Sequence, residues 1–176
     1  MRQSITILLL LWCSSLHSQQ PVEIMQPTIA FDETLAAAQL RDGTASIKGT
    51  VFYEGRSLIG IKTEGTVYAQ PGTIVAVYPL TPYLEAYLKL KKKNKEGKRI
   101  ATISPVAACY RIEAKVFSLQ GEFMIPGLQP GKYYLESTVA FPSGVGSREV
   151  SEIVEVKNNG ETVTCKLDHI YRGFIY

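Results

Sequence analysis

The stretch Gly121–Leu135 reads GEFMIPGLQPGKYYL, and the spacing of its apolar residues decides the fold class. Phe123 and Ile125 are two residues apart, so an extended chain turns both toward the same side. Pro130-Gly131 fits the two central positions of a type II turn. Tyr133 then enters the core on the next strand. The stretch predicts two strands that contribute to one core.

Segments with the same period of two flank this stretch on both sides. We expect eight short strands, near residues 47–53, 73–78, 100–103, 109–117, 122–125, 132–141, 150–156 and 162–167. Turn residues separate them roughly every 8 to 12 residues, which is typical of a β-sandwich. Tyr133, Leu135, Val139 and Phe141 share one face of the best strand and should anchor the core. The sequence therefore predicts an all-β, seven- or eight-stranded sandwich in one domain.

Four segments lie outside this pattern. Residues 19–44 form an N-terminal extension with a short helix, for which Asp32 is the candidate N-cap. Residues 56–70 are expected to be an inserted ribbon, and residues 169–176 an aromatic tail. A second insertion, residues 81–99, begins with a surface helix capped by Thr81-Pro82. This helix carries Tyr83, Leu84, Tyr87, Leu88 and Lys91 on one face.

The stretch Gly121–Leu135 resembles the signature of carboxypeptidase regulatory-like domains and of their prealbumin-like (transthyretin-like) and collagen-adhesin B-type relatives. The opening strand, Ile47–Val51, also looks like the start of such a domain. The resemblance spans residues 45–168, although the two insertions depart from the family pattern. It implies an Ig-like or prealbumin-like sandwich that acts as a stalk, spacer, accessory or binding module.

The first 18 residues have the layout of a secretory signal peptide. A charged start is followed by the apolar run Ile5–Trp12, which is too short to span a bilayer. We expect cleavage after Ser18, export to the periplasm, the outer-membrane periphery or the exterior of a bacterial cell, and no transmembrane span. Cys13 follows the run, so lipidation is an alternative, disfavoured by the bulky Trp12 before it.

Cys109 and Cys165 remain after processing, in a compartment that permits disulfides. The expected strand over residues 109–117 turns Cys109 outward, whereas Cys165 belongs to an inward face, and this argues against pairing. A bend near Pro105 would reset the register and allow it. A Cys109–Cys165 disulfide therefore stays open.

The sequence offers little chemistry for catalysis. His169 is the one histidine after the signal segment, and its neighbour Asp168 points to the opposite face of a strand. No phosphate loop, paired-cysteine metal motif or nucleophile elbow is present. Tyr171-Arg172-Gly173 resembles the end of transthyretin-like hydrolases, but the histidine motif and terminal serine of that family are missing. We expect no enzyme activity, no metal and no cofactor.

The candidate binding residues fall in two groups. Lys91, Lys92, Lys93 and Lys95 belong to a basic run from Lys89 to Arg99, which should fray into a solvated loop or contact an anionic lipid, glycan or protein. The second group is in the tail: Tyr171, Phe174 and Tyr176. A net charge of +3 argues against nucleic acid. The leading hypothesis is an accessory subunit of an envelope or extracellular assembly with a protein partner. The alternatives are a carbohydrate- or cell-wall-binding module and, remotely, a small hydrolase.

Overall fold

The computed structural model describes residues 21–56, 65–142, 144 and 146–172. The elements of this part of the chain are β1 (Glu23–Met25), α1 (Glu33–Gln39), β2 (Ala45–Arg56), β3 (Val67–Tyr68), β4 (Ile74–Pro79), α2 (Pro82–Lys91), β5 (Arg99–Ala101), α3 (Pro105–Cys109), β6 (Ile112–Lys115), β7 (Glu122–Leu128), β8 (Gly131–Ala140), β9 (Ser147–Val156) and β10 (Thr162–Arg172). The signal segment with Cys13, the ribbon residues 57–64 and the tail residues 173–176 lie outside the described residues.

Two four-stranded sheets form a sandwich. One sheet has the order β6-β4-β8-β9, and every neighbouring pair in it is antiparallel. In the other sheet β2 is central, with β10 parallel to it on one side and β7 and β3 antiparallel on the other. The prediction of an all-β sandwich with short helices is confirmed.

The core lies between the two sheets and follows the predicted alternation. Phe123, Ile125 and Leu128 on β7 are buried against Tyr133 and Leu135 on β8. The Tyr133 hydroxyl donates a hydrogen bond of 2.7 Å to the Gln129 carbonyl. The stretch that carries the resemblance therefore provides the centre of the packing.

The predicted type II turn at Pro130-Gly131 is wrong. Gly131 has a φ of +158° and already belongs to β8, whereas the second central residue of a type II turn needs a φ of about +80°. A side chain at this position would collide with Gln39, because a Cβ would lie 2.7 Å from its Nε2 atom. The end of the Gln39 side chain can move aside, so glycine is favoured here mainly by the φ of +158°, which other residues rarely adopt.

Both predicted helix caps are confirmed. The Asp32 carboxylate accepts a hydrogen bond of 2.9 Å from the Leu35 amide at the start of α1. The Thr81 hydroxyl accepts one of 3.3 Å from the Leu84 amide at the start of α2. A side chain that accepts such a bond satisfies one of the amides that a helix leaves unpaired.

Two of the predicted strands are corrected. Residues 109–117 do not form one strand, because Ser104 caps the short helix α3, which ends at Cys109. The segment near residues 100–103 supplies β5, which pairs in parallel with β1 outside the sandwich. The predicted position of Cys109 on a strand is therefore wrong, although its side chain is exposed as expected. Within the described residues, no helix is long and apolar enough to cross a membrane.

Candidate functional site

Helix α2 covers the outer face of the β6-β4-β8-β9 sheet. Tyr78 on β4 and Tyr134 on β8 point away from the main core, and each is nonetheless buried, because Leu84 of α2 packs on them. The outward tyrosines and the apolar face of α2 thus form a second, smaller core. This packing fixes the position of α2 and of the residues at its C-terminal end.

Lys91, the last residue of α2, turns back onto the sheet. Its Nζ atom lies 3.0 Å from a Glu136 carboxylate oxygen and 2.6 Å from one of Glu149. It also donates a hydrogen bond of 3.2 Å to the Tyr134 hydroxyl. The ammonium lies 5.7 Å from the centre of the Tyr87 ring and 5.6 Å from that of Tyr134. Lys91 therefore joins α2 to β8 and β9 through charge-assisted hydrogen bonds.

The protonation states of this cluster are fixed by its surroundings. Burial alone would lower the pKa of Lys91, but the hydrogen bond that it donates to Glu149 and the charge of Glu136 hold this pKa above its ordinary value. Burial raises the pKa of Tyr134 to about 12, although the hydrogen bond with Ser151 and the one that Lys91 donates act in the opposite direction. At neutral pH the lysine is charged and the phenol is neutral. The ion pairs and hydrogen bonds of the cluster are therefore complete at neutral pH.

A groove of about 670 Å³ lies beside the Lys91 cluster, between α2 and β9. Leu88, Tyr134 and Ile153 give it an apolar part. Its polar lining comes mainly from β9, with further residues after α2: Ser147, Arg148, Glu149, Ser151, Glu152, Lys92 and Asn94. The groove thus combines a hydrocarbon surface with donors and acceptors held on a rigid strand.

A smaller groove of about 360 Å³ continues across the same sheet face. Glu149 borders both grooves. On the far side the guanidinium of Arg111 lies 2.5 Å from Glu113 and donates a hydrogen bond of 3.4 Å to the Tyr78 hydroxyl. Burial raises the pKa of Tyr78, although the bond from Arg111 opposes this. The outer face therefore carries a continuous row of tyrosine, glutamate and basic side chains.

The structure separates the predicted binding residues. Lys91 and Lys92 line the larger groove, and Lys91 is partly buried there. The expectation that Lys91 belongs to a solvated loop is wrong, because it remains on α2 beneath Glu136 and Glu149. Lys93 and Lys95 are exposed on the following turn.

Of the tail residues, Tyr171 lies on β10 in the other sheet, whereas Phe174 and Tyr176 are outside the described residues. Sequence reasoning missed Tyr134, Glu136 and Glu149. The only sequence signal for this cluster is that Tyr134 directly follows the inward-facing Tyr133, so its side chain must point to the outer face of the sheet.

The two cysteines of the described chain are both free. Cys109 is exposed at the end of α3, where its thiol donates a hydrogen bond of 3.3 Å to the Pro105 carbonyl. Cys165 is half-buried on β10, and burial raises the pKa of its thiol to about 12, with a further contribution from the charge of Glu152. The Cys109–Cys165 disulfide that the sequence left open is absent from the structure. A high pKa makes the Cys165 thiol a poor nucleophile.

Within residues 21–56, 65–142, 144 and 146–172, no group of three or more His, Cys, Asp and Glu side chains is arranged to hold a metal ion. Asp168 and His169 lie next to each other on β10, in the sheet that does not carry the grooves.

No protein-family model and no curated protein sequence matches the chain. Among solved structures, a Pseudomonas aeruginosa protein proposed to bind carbohydrate is similar over 80% of this chain and 99% of its own, with a TM-score of 0.55 and 24% identity. A pilus backbone protein of group B streptococcus is similar over 73% of this chain and 40% of its own, with a TM-score of 0.33 and 18% identity. The first likeness shows a shared β-sandwich fold, and the second is too distant to support an argument.

Proposed function

We propose that this chain is an exported, non-catalytic β-sandwich module of the prealbumin-like type that binds a carbohydrate in the groove between α2 and β9. The observation that carries the proposal is the composition of that groove. Apolar Leu88 and Ile153 flank Tyr134, and polar side chains of β9 surround them. Its volume of about 670 Å³ is within the usual range for small-molecule sites.

Sugars are themselves amphipathic, which matches such a surface. The C–H faces of a pyranose ring pack on aromatic and aliphatic side chains, while its hydroxyl groups exchange hydrogen bonds with carboxylates, hydroxyls and guanidinium groups. Glu149 can accept such bonds, and Ser151 can donate or accept them. The ion pair between Lys91 and Glu149 holds one of these acceptors in place before the ligand arrives, which limits the entropy lost on binding.

A role in binding rather than catalysis is supported by the fixed protonation states. General acid–base chemistry needs a group whose pKa lies near the working pH. Tyr134, with a pKa of about 12, stays protonated at neutral pH, and Lys91, whose pKa is raised, stays charged. The solved structure with the shared fold belongs to a protein that is itself proposed to bind carbohydrate, which adds support for this ligand class.

The test compares two substitutions of exposed apolar strand residues. Ile153 is 48% exposed in the groove, and Met124 is 50% exposed on β7 in the other sheet. A glycan array and NMR titration with the sugars it identifies should show binding by the wild type and by Met124→Asp. Ile153→Asp should weaken that binding by about tenfold or more, because it removes one apolar wall of the groove. Equal binding by both variants, or an array with no binding, would contradict the proposal.

A second candidate function is that of an accessory subunit in an envelope assembly, and the position of β10 favours it. Within the described part of the chain, this strand pairs with β2 along one edge and with no strand along the other, where its backbone groups could accept an added strand. It contains Tyr171 and leads into the aromatic residues Phe174 and Tyr176.

Cross-linking from native cells should recover one defined set of envelope proteins. Deleting residues 170–176 should abolish that recovery while the domain stays folded by circular dichroism. Deleting residues 173–176 alone tests whether the tail, rather than the end of β10, is needed for that recovery. Unchanged recovery with the longer deletion would count against the assembly role.

A further inference from the structure

An exposed apolar pair lies where β1 and β5 meet. The two strands are parallel, and Ile24 stands directly beside Ile100 in the register. The next pair, Met25 and Ala101, turns toward the protein, with Ala101 only 6% exposed. Ile24 and Ile100 therefore face outward, and they are 65% and 47% exposed. Val22, 47% exposed, extends the same apolar surface.

Basic residues lead into β5. All are exposed: Lys92, Lys93, Lys95 and Lys98 precede the strand, and Arg99 is its first residue. Glu96 is the one acidic residue within this turn between α2 and β5. The Glu23 amide donates a hydrogen bond of 2.9 Å to the Lys98 carbonyl, so the strand that carries Ile24 is fastened directly to the basic turn.

The turn is ordered by its own hydrogen bonds, contrary to the expectation of a fraying loop. The Lys95 amide donates to the Arg99 carbonyl at 2.9 Å, and the Ala101 amide donates to the Asn94 side chain at 2.6 Å. The Arg99 side chain donates to the Lys93 carbonyl. These bonds, together with the one from the Glu23 amide to the Lys98 carbonyl, fix the turn next to the strands that carry Ile24 and Ile100. The turn and the two isoleucines together form the candidate surface.

We infer that this surface, formed by Ile24, Ile100 and the basic turn 92–99, docks on the anionic phospholipid surface of a membrane. Lysines near a bilayer are attracted by its acidic headgroups, and exposed isoleucines gain by entering the boundary between headgroups and acyl chains. A soluble polyanion would neutralise the lysines but leave both isoleucines in water. The pairing of both features therefore favours a lipid surface over an acidic polysaccharide.

The test measures co-sedimentation of the chain from Gln19 onward with vesicles. This form lacks the apolar run Ile5–Trp12, which would bind lipid by itself. Vesicles of phosphatidylcholine alone should retain little protein, and vesicles that also contain phosphatidylglycerol should retain it in a salt-sensitive way. Lack of binding to the mixed vesicles would overturn the inference.

Two pairs of matched variants identify the surface. The triple change Lys93→Gln, Lys95→Gln, Lys98→Gln should weaken binding to the anionic vesicles by at least about tenfold. The same triple change at the exposed lysines Lys48, Lys115 and Lys166 alters net charge equally and should leave binding within about twofold. Equal losses in the two triple variants would mean that net charge alone attracts the protein, and this would overturn the inference.

The apolar pair decides between lipid and polyanion. Ile24→Ser with Ile100→Ser should weaken binding to the vesicles while retention on dextran sulfate stays unchanged. Leu119→Ser with Met124→Ser, at exposed positions elsewhere, should change neither. If the isoleucine variant binds the vesicles like the wild type, the surface is a polyanion site and the inference is wrong. Glycan binding in the groove is a separate readout that these variants leave intact.

Discussion

Lys91 differs from its neighbours in the basic run because its ammonium is held from several sides. Glu136, Glu149 and the Tyr134 hydroxyl all lie within 3.2 Å of Nζ. A lysine that keeps its charge in a partly buried place depends on such partners. Those partners in turn depend on the lysine, since two carboxylates would otherwise face each other across the groove.

Replacing Lys91 by Met should therefore lower the stability of the domain. The change keeps the aliphatic stem but removes the cation, and we expect the free energy of unfolding to fall by about 1–3 kcal/mol. Urea unfolding followed by far-ultraviolet circular dichroism measures this free energy. Lys92→Met, at the exposed neighbouring position, should change it by less than about 0.5 kcal/mol. Equal effects would show that the ion pairs contribute no net stability.

The raised pKa of Tyr134 predicts that the stability of the folded domain falls at alkaline pH. Burial raises its pKa from 10.0 to about 12, so the folded protein holds the phenol proton more tightly than the unfolded chain does. This contribution is complete below pH 10 and is lost as the pH rises toward 12. Lys91, whose pKa is also raised, acts in the same direction.

Melting temperatures measured between about pH 9 and pH 12 should fall with pH in the wild type and less steeply in Tyr134→Phe. Cys165, with a pKa raised to about 12, adds to the slope of both proteins equally, so the difference between them reports Tyr134 together with its effect on Lys91. Parallel curves for the two proteins would contradict the assignment.

At the scale of elements, the caps of α1 and α2 could be read from the sequence because a cap acts within three residues. Ser104-Pro105 at α3 carries the same signal as Thr81-Pro82, and it was missed because α3 has only five residues. So short a helix shows no period of 3.6, and the isoleucines and valines around it favour strands.

The grooves could not be predicted for a different reason. Lys91 and Glu149 meet through the packing of α2 on an outer sheet face. No local pattern indicates which of the two faces a helix will cover.

The Thr81 cap should be measurable because α2 holds the second core in place. Thr81→Ala removes the acceptor for the Leu84 amide, which is buried with the cap. We expect a loss of about 0.5–2 kcal/mol in the free energy of unfolding. Thr81→Ser keeps the oxygen and should restore most of it. A serine variant as unstable as the alanine variant would indicate that the methyl group, and not the hydrogen bond, supports the helix.

For the molecule as a whole, the pairing of β2 with β10 joins the two ends of the sandwich. Gly49 on β2 lies opposite Cys165 on β10. A Cβ at Gly49 would approach the Cys165 carbonyl oxygen to 2.6 Å and the Phe123 ring to 2.8 Å. The first of these neighbours is backbone, so a larger residue must displace the strand.

Gly49→Ala should accordingly destabilise the whole domain, by about 1–3 kcal/mol. Gly65→Ala is the matched control, since a Cβ there would meet nothing within 4 Å. Thermal unfolding of the two variants should show a lower melting temperature for Gly49→Ala alone. No difference between them would mean that β10 can move away from β2 at little cost.

The position of β10 in the sequence also determines when β2 and β10 can pair during synthesis. Ser46 on β2 contacts Thr162 on β10, and 116 residues separate them. Synthesis produces β2 long before its partner β10, so one edge of β2 stays unpaired until β10 has been made. Contacts this distant in sequence slow folding. A chain truncated before β10 leaves this edge of β2 permanently unpaired, which makes the chain prone to aggregation or proteolysis.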